Sequence, residues 1–99
     1  MIYVIYDISD NKIRKKISDK CLNYGLYRIQ KSVFAGSLNN NRIDELRVFC
    51  ENILKNKNSN ENDKIYIIPV CKKCFGSLIC VGNEFDKDLI TDNKNTLVL

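Results

Sequence analysis

The chain has 99 residues, 44% of them hydrophobic, and a formal net charge of +4. That length suits one domain with a modest core, the composition argues against disorder, and no apolar run approaches the roughly 18–20 residues of a membrane span. There is no histidine, which excludes Ser-His-Asp and Cys-His nucleophile pairs, His-based acid–base catalysis and mixed Cys/His zinc sites.

Residues 1–6 read M-I-Y-V-I-Y and are followed by Asp7-Ile8-Ser9-Asp10. Tyr, Val and Ile suit a pleated, half-buried surface, so residues 2–8 are predicted as a strand. Its alternation sends Ile2, Val4, Tyr6 and Ile8 one way and Tyr3, Ile5 and Asp7 the other. Asp7 is the notable residue. A carboxylate at a strand end needs a cation, a basic partner or a helix to cap. The structural alternatives for Asp7 are therefore an N-cap or a salt bridge to Arg28.

Residues 10–24 are predicted as the first helix, with Ser9 or Asp10 as cap and Gly25 as a left-handed terminator. Its apolar stripe is Ile13, Ile17, Cys21 and Tyr24. Lys12, Arg14, Lys15, Lys16 and Lys20 occupy the other faces. Across residues 9–31 seven bases, with Arg28 and Lys31 added, meet only Asp10 and Asp19. So local a basic region suggests a polyanion partner, with a solvated helix face as the plain alternative.

Residues 26–34 read as a second strand, with Ile29 and Val33 on one side and Arg28, Gln30, Ser32 and Phe34 on the other. Gly36 permits a bend, after which Ser37 and Leu38 begin a short strand. A second helix over about residues 40–55 carries the stripe Ile43, Leu46, Phe49, Cys50, Ile53 and Leu54. Residues 56–62 form an exposed loop, residues 64–70 a strand ending at Pro69, residues 71–76 a turn and residues 77–81 a short strand. Residues 83–95 are a polar, acidic connector, and residues 96–99 are apolar again.

The five cysteines are expected to be reduced in a protein without a secretion signal, which points to a cytoplasmic location. Cys21 and Cys50 read as small core residues. Cys71 and Cys74 form one C-x-x-C. A structural zinc site needs four ligands, and Cys80 makes only three. A redox pair is expected where a helix begins, whereas this segment reads as a turn.

The order fits an α+β ferredoxin-like sandwich, βαββαβ plus a C-terminal edge strand, with both helices on one face of the sheet. The domain spans residues 1–82, and residues 83–99 supply the connector and a last strand on the sheet edge, of this protomer or its partner. The face opposite the helices would stay apolar, so a sheet-to-sheet C2 homodimer through Tyr3, Ile5, Asp7 and Phe34 is expected. Two Asp7 carboxylates would then approach each other, an arrangement that shares a proton or binds a cation such as Mg²⁺.

The segments Y-V-I-Y-D-I-S-D with Arg14 after it, R-I-Q-K-S-V-F after Tyr24-Gly25, and I-Y-I-I-P-V-C-K-K-C resemble the family of CRISPR-associated protein two. The resemblance covers residues 1 to about 82. It implies a ferredoxin-like homodimer and places on Asp7 the family's metal-dependent cleavage of RNA or double-stranded DNA. Apart from the resemblance, the residues themselves offer Asp10 as a candidate second acid. It places the helix-one arginine on Arg14, and the second-strand positions on Arg28, Gln30, Ser32 and Phe34. Lys12, Lys15, Lys16 and Lys31 complete a nucleic-acid surface. The implied role is in spacer acquisition, as a bridge between copies of the CRISPR-associated integrase that holds duplex DNA, with single-stranded RNA as a second substrate. Many members carry an acid after Ser-Val-Phe where this chain has Ala35, and lysines stand where arginines are common. Lysine keeps the phosphate attraction but not the bidentate fork. Efficient metal nucleases align several carboxylates, so weak hydrolysis is expected here. A true Mg²⁺-dependent endonuclease and a VapD-like toxin ribonuclease are the alternatives.

Overall fold

The computed structural model describes residues 1–55 and 58–82. The connector and last strand expected over residues 83–99 lie outside the described residues. The elements are β1 (Ile2–Asp7), α1 (Asn11–Asn23), β2 (Tyr27–Gln30), β3 (Val33–Gly36), α2 (Asn40–Ile53), β4 (Lys64–Pro69) and α3 (Lys72–Gly76). They form a small α+β fold around a four-stranded antiparallel sheet of order β2-β3-β1-β4.

Both long helices start and stop where their sequences say. The Asp10 carboxylate accepts from the Ile13 N–H at 3.0 Å, and the Asn39 side chain accepts from the Arg42 N–H at 2.8 Å. Each cap satisfies a donor that the first helical turn leaves without a partner. At the end of α1, Leu26 N–H donates to the Cys21 carbonyl and Gly25 N–H to that of Leu22. This closure needs a left-handed residue, and Gly25 supplies it at φ +80°.

One face of β1 (Ile2, Val4, Tyr6) packs with Phe34 of β3, Ile13, Ile17 and Cys21 of α1, and Leu46, Cys50 and Ile53 of α2. Ile65 and Ile67 of β4 pack against its margin. Both helices therefore cover the same side of the sheet.

The expected single strand over residues 26–34 is two strands joined by a tight turn at Lys31 and Ser32. Gly36 ends β3, so no strand begins at Ser37. Its placement is fixed by packing: a Cβ there would meet Leu26 Cδ2 at 2.8 Å. Residues 71–76 form the helix α3 with its cap, where a turn was expected. Residues 77–81 are not a strand. α3 turns the chain across the open side of the sheet, where this segment finds no ladder partner. Instead, Leu78 to Val81 line a cleft of about 660 Å³ with Tyr3, Ile5 and Val33.

Candidate functional site

The alternation of β1 puts Asp7 on the open face with Tyr3 and Ile5, at the strand's carboxyl end. Asp7 is exposed, and its register partner is Lys64 on β4. Neither structural role proposed for Asp7 is filled by it. Asp10 caps α1. Arg28 donates to Ser18 Oγ and to the Lys31 carbonyl at 3.5 Å, and its guanidinium lies 5.0 Å from the Phe34 ring centroid. Among the described residues, no ion pair or side-chain hydrogen bond engages the Asp7 carboxylate.

The loop after Asp7 is held from two sides. Arg14 Nη1 donates to the Ile8 carbonyl at 3.0 Å. Asp63 Oδ1 accepts from the Ser9 N–H at 3.0 Å and from Ser9 Oγ at 3.2 Å, while its Oδ2 accepts from the Asn60 N–H at 2.8 Å. These donors favour the charged form, the Asn60 N–H most, and hold the Asp63 carboxyl below the ordinary aspartate value. Sequence reasoning missed Asp63. The only signal was an aspartate three residues after Asn60 in a polar loop, a spacing common to many turns.

The basic residues divide by environment. Lys12, Lys16 and Lys31 are exposed. Lys15 pairs with Asp19 at 2.8 Å, an exposed i,i+4 pair of little energetic weight. Lys20 sits over the Tyr24 and Phe49 rings at 5.2 and 5.1 Å. Arg14 and Arg28 serve the protomer's own structure as described. Of these residues, the cations open to a polyanion lie on the outer side of α1 and at the β2–β3 turn; Lys55, Lys64, Lys72 and Lys73 are exposed elsewhere.

The second-strand residues do not share one face. Phe34 pairs with Val4 and is fully buried in the helix-covered core, 6.4 Å from Tyr6 between ring centroids. It lies on neither a dimer interface nor a stacking surface. A register shift between Arg28 and Gln30 changes the parity of β2. Arg28 therefore pairs with Phe34 on the helix side, and Gln30 pairs with Val33 and lines the open-face cleft. Ser32 is half-buried in the turn, its carbonyl accepting from the Tyr6 N–H at 3.1 Å. The open face carries Tyr3, Ile5, Ile29, Val33, Tyr66 and Ile68, with Tyr66 51% exposed and Ile68 38%. Phe75 of α3 closes one end of it, buried against Ala35 and 5.4 Å from the Tyr3 ring centroid.

A model of the family described as CRISPR associated protein Cas2 matches residues 1–78. The chain belongs to the Cas2 family. It is 33% identical over 72 residues to the CRISPR-associated endoribonuclease Cas2 of Korarchaeum cryptofilum, covering 73% of each chain. The structure of Streptococcus pyogenes Cas2 at pH 6.5 superposes with a TM-score of 0.67 at 21% identity, covering 82% of this chain and 98% of that one, a likeness of fold. A shorter stretch of 37 residues, 37% of this chain, is 46% identical to part of a Thermoproteus tenax protein named CRISPR-associated endonuclease Cas1/endonuclease Cas2 fusion, and covers 14% of that protein. No helix among the described residues is long and apolar enough to cross a membrane.

The donor set bears on the metal expected at Asp7. Among the described residues no three Asp, Glu or Cys side chains gather as a ligand cluster. Asp7 is an exposed carboxylate outside any such cluster. Mg²⁺ takes one or two carboxylates and keeps several waters, so this donor suits it only as half of a site.

Proposed function

We propose that this Cas2-family chain is the nucleic-acid-holding subunit of a CRISPR spacer-acquisition complex. It would act as a ferredoxin-like homodimer that binds duplex DNA and bridges integrase dimers. The observation that carries this reading is the open face of the sheet, where apolar Tyr3, Ile5, Tyr66 and Ile68 lie in the same layer as the unengaged Asp7. A protomer this small gains by burying such a surface, and a two-fold axis across it brings two copies of the face together. The element order, with strand order β2-β3-β1-β4, supports the sandwich. The relative that carries Cas1 and Cas2 on one chain supports an integrase partner. Lys12, Lys15, Lys16, Lys31 and the Arg14 and Arg28 region supply phosphate contacts that read no sequence, which suits a protein that accepts any spacer.

A second reading, metal-dependent hydrolysis, is favoured by the endoribonuclease name of the curated relatives. The two Asp7 carboxylates of the dimer would hold one shared Mg²⁺. A divalent cation there would neutralise charge on a phosphate and lower the barrier to its hydrolysis. The chain has no histidine, and among the described residues no cluster of three acids or cysteines gathers at Asp7. The expected hydrolysis is weak, on RNA or on double-stranded DNA.

The deciding experiment incubates wild type and Asp7→Ala with labelled duplex DNA and single-stranded RNA, in Mg²⁺ and in EDTA. Salt-sensitive duplex binding, without cleavage that needs both Mg²⁺ and Asp7, makes the protein a scaffold. Cleavage lost in EDTA and in Asp7→Ala, with binding retained, makes the paired aspartates a working metal site.

A further inference from the structure

The C-x-x-C segment serves no part of the reading above. Cys71 is the N-cap of α3, and its Sγ accepts from the Cys74 N–H at 3.2 Å. Both residues are exposed. Cys71 has an extended backbone just outside the helix, so its side chain folds back over the first turn. Residues three apart on a helix hold their Cβ atoms about 5–6 Å apart, beyond disulfide range. The cap geometry removes that obstacle here, because the Cys71 sulfur already rests against the Cys74 backbone. Joining the sulfurs then calls on rotation of the Cys74 side chain toward a sulfur that lies 3.2 Å from its own backbone nitrogen.

The pair is also chemically unequal. Hydrogen bonds, first from the Cys74 thiol and then from the Cys74 N–H, lower the Cys71 pKa; the same partner raises that of Cys74. Cys71 is thus the more readily ionised of the two and Cys74 the resolving thiol. Cys21 and Cys50 are a built-in contrast. Burial pushes their thiols up to about 12 and about 11.

We propose that Cys71 and Cys74 are a reversible redox pair that undergoes thiol–disulfide exchange with low-molecular-weight disulfides. The Cys71 thiolate attacks one sulfur of the small disulfide, whose S–S bond breaks and releases a thiolate. The Cys74 thiol gives up its proton and attacks Cys71 Sγ, and a second small thiolate leaves. The protein loses two electrons and two protons, and the small disulfide is reduced to two thiols. Cys74 stands next to Phe75, at the lip of the open face.

The test equilibrates the full chain in buffers of reduced and oxidised glutathione, quenches with acid, labels with N-ethylmaleimide and maps the products by mass. As the buffer becomes oxidising, Cys71 and Cys74 should lose their label together and appear as one intramolecular disulfide. In the reduced protein Cys71 should label at least about threefold faster than Cys74. Cys71→Ser keeps a capping oxygen on α3, so it should fold, form no such disulfide and carry glutathione on Cys74; Cys74→Ser should carry it on Cys71. Independent loss of label at the two sites, or a disulfide that takes in Cys80, overturns the proposal.

Discussion

On the helix-covered side of the sheet, Ile2, Val4 and Tyr6 are sealed with Phe34, and two helices contribute apolar side chains to the same cluster. On the other side Tyr3 and Ile5 stay half-buried beside the exposed Tyr66 and Ile68, with Asp7 at the end of the row. A single strand, β1, supplies both surfaces through its two-residue period. The first surface is complete within one protomer and decides whether the chain folds. The second is incomplete there, and it is where assembly and chemistry are expected. Mutations on the two sides should therefore separate stability from function.

The largest expected effect is on the sealed side. Phe34→Ala opens a cavity beneath Tyr6 and removes the ring under Arg28, so it should cost about 3–5 kcal/mol in urea unfolding. A cost near zero would mean that this side is not the core. Next is the open side. Ile68→Asp places a charge where a second protomer would pack, yet disturbs little in the isolated chain. It should convert the proposed homodimer to monomer by sedimentation while far-ultraviolet circular dichroism is unchanged. A dimer that survives would move the interface elsewhere. The third test adds the outer side of α1. Lys12→Ala with Lys16→Ala should lower the slope of log affinity for duplex DNA against log salt by about 2, one for each lost phosphate contact. An unchanged slope would bring the nucleic acid to the open face instead.

The smallest effect concerns the latch beside Asp7. The Asp63 carboxyl titrates lower in the folded chain than in the unfolded one. Its contribution is present above the unfolded value and disappears as pH falls through the folded value. Asp63→Asn should therefore weaken the fall in urea midpoint between neutral pH and about pH 3, with little change in the core. The same acid sensitivity in both proteins would show that Ser9 and Asn60 do not hold the carboxylate.

Much of this division was legible in the sequence. The two faces of β1, the stripes of α1 and α2, and the stops at Asp10 and Gly25 follow from periodicity and capping. So did the placement of Asp7 on the side of Tyr3 and Ile5. The β2–β3 hairpin was not legible, because its turn is Lys31-Ser32, without glycine, proline or asparagine to mark it. Reading through that turn carried the wrong parity onto Phe34. α3 was missed because five residues are too few to display a helical period. The apolar run over residues 77–81 resembles a strand, but a strand is defined by its partner, and none is adjacent within the described protomer. Asp63 acts through loop geometry that brings together residues 54 positions apart, which no local pattern encodes.

The register shift between Arg28 and Gln30 has a consequence for how this short strand tolerates change. Arg28 answers to the protomer's interior, and Gln30, two positions on, answers to whatever meets the cleft. Deleting the residue between them, Ile29, would remove the bulge and make the two neighbours, which regular alternation still sends to opposite faces. What such a deletion takes away is the Ile29 side chain from the open face, so it should cost the cleft part of its apolar lining while the ladder closes as a plain hairpin.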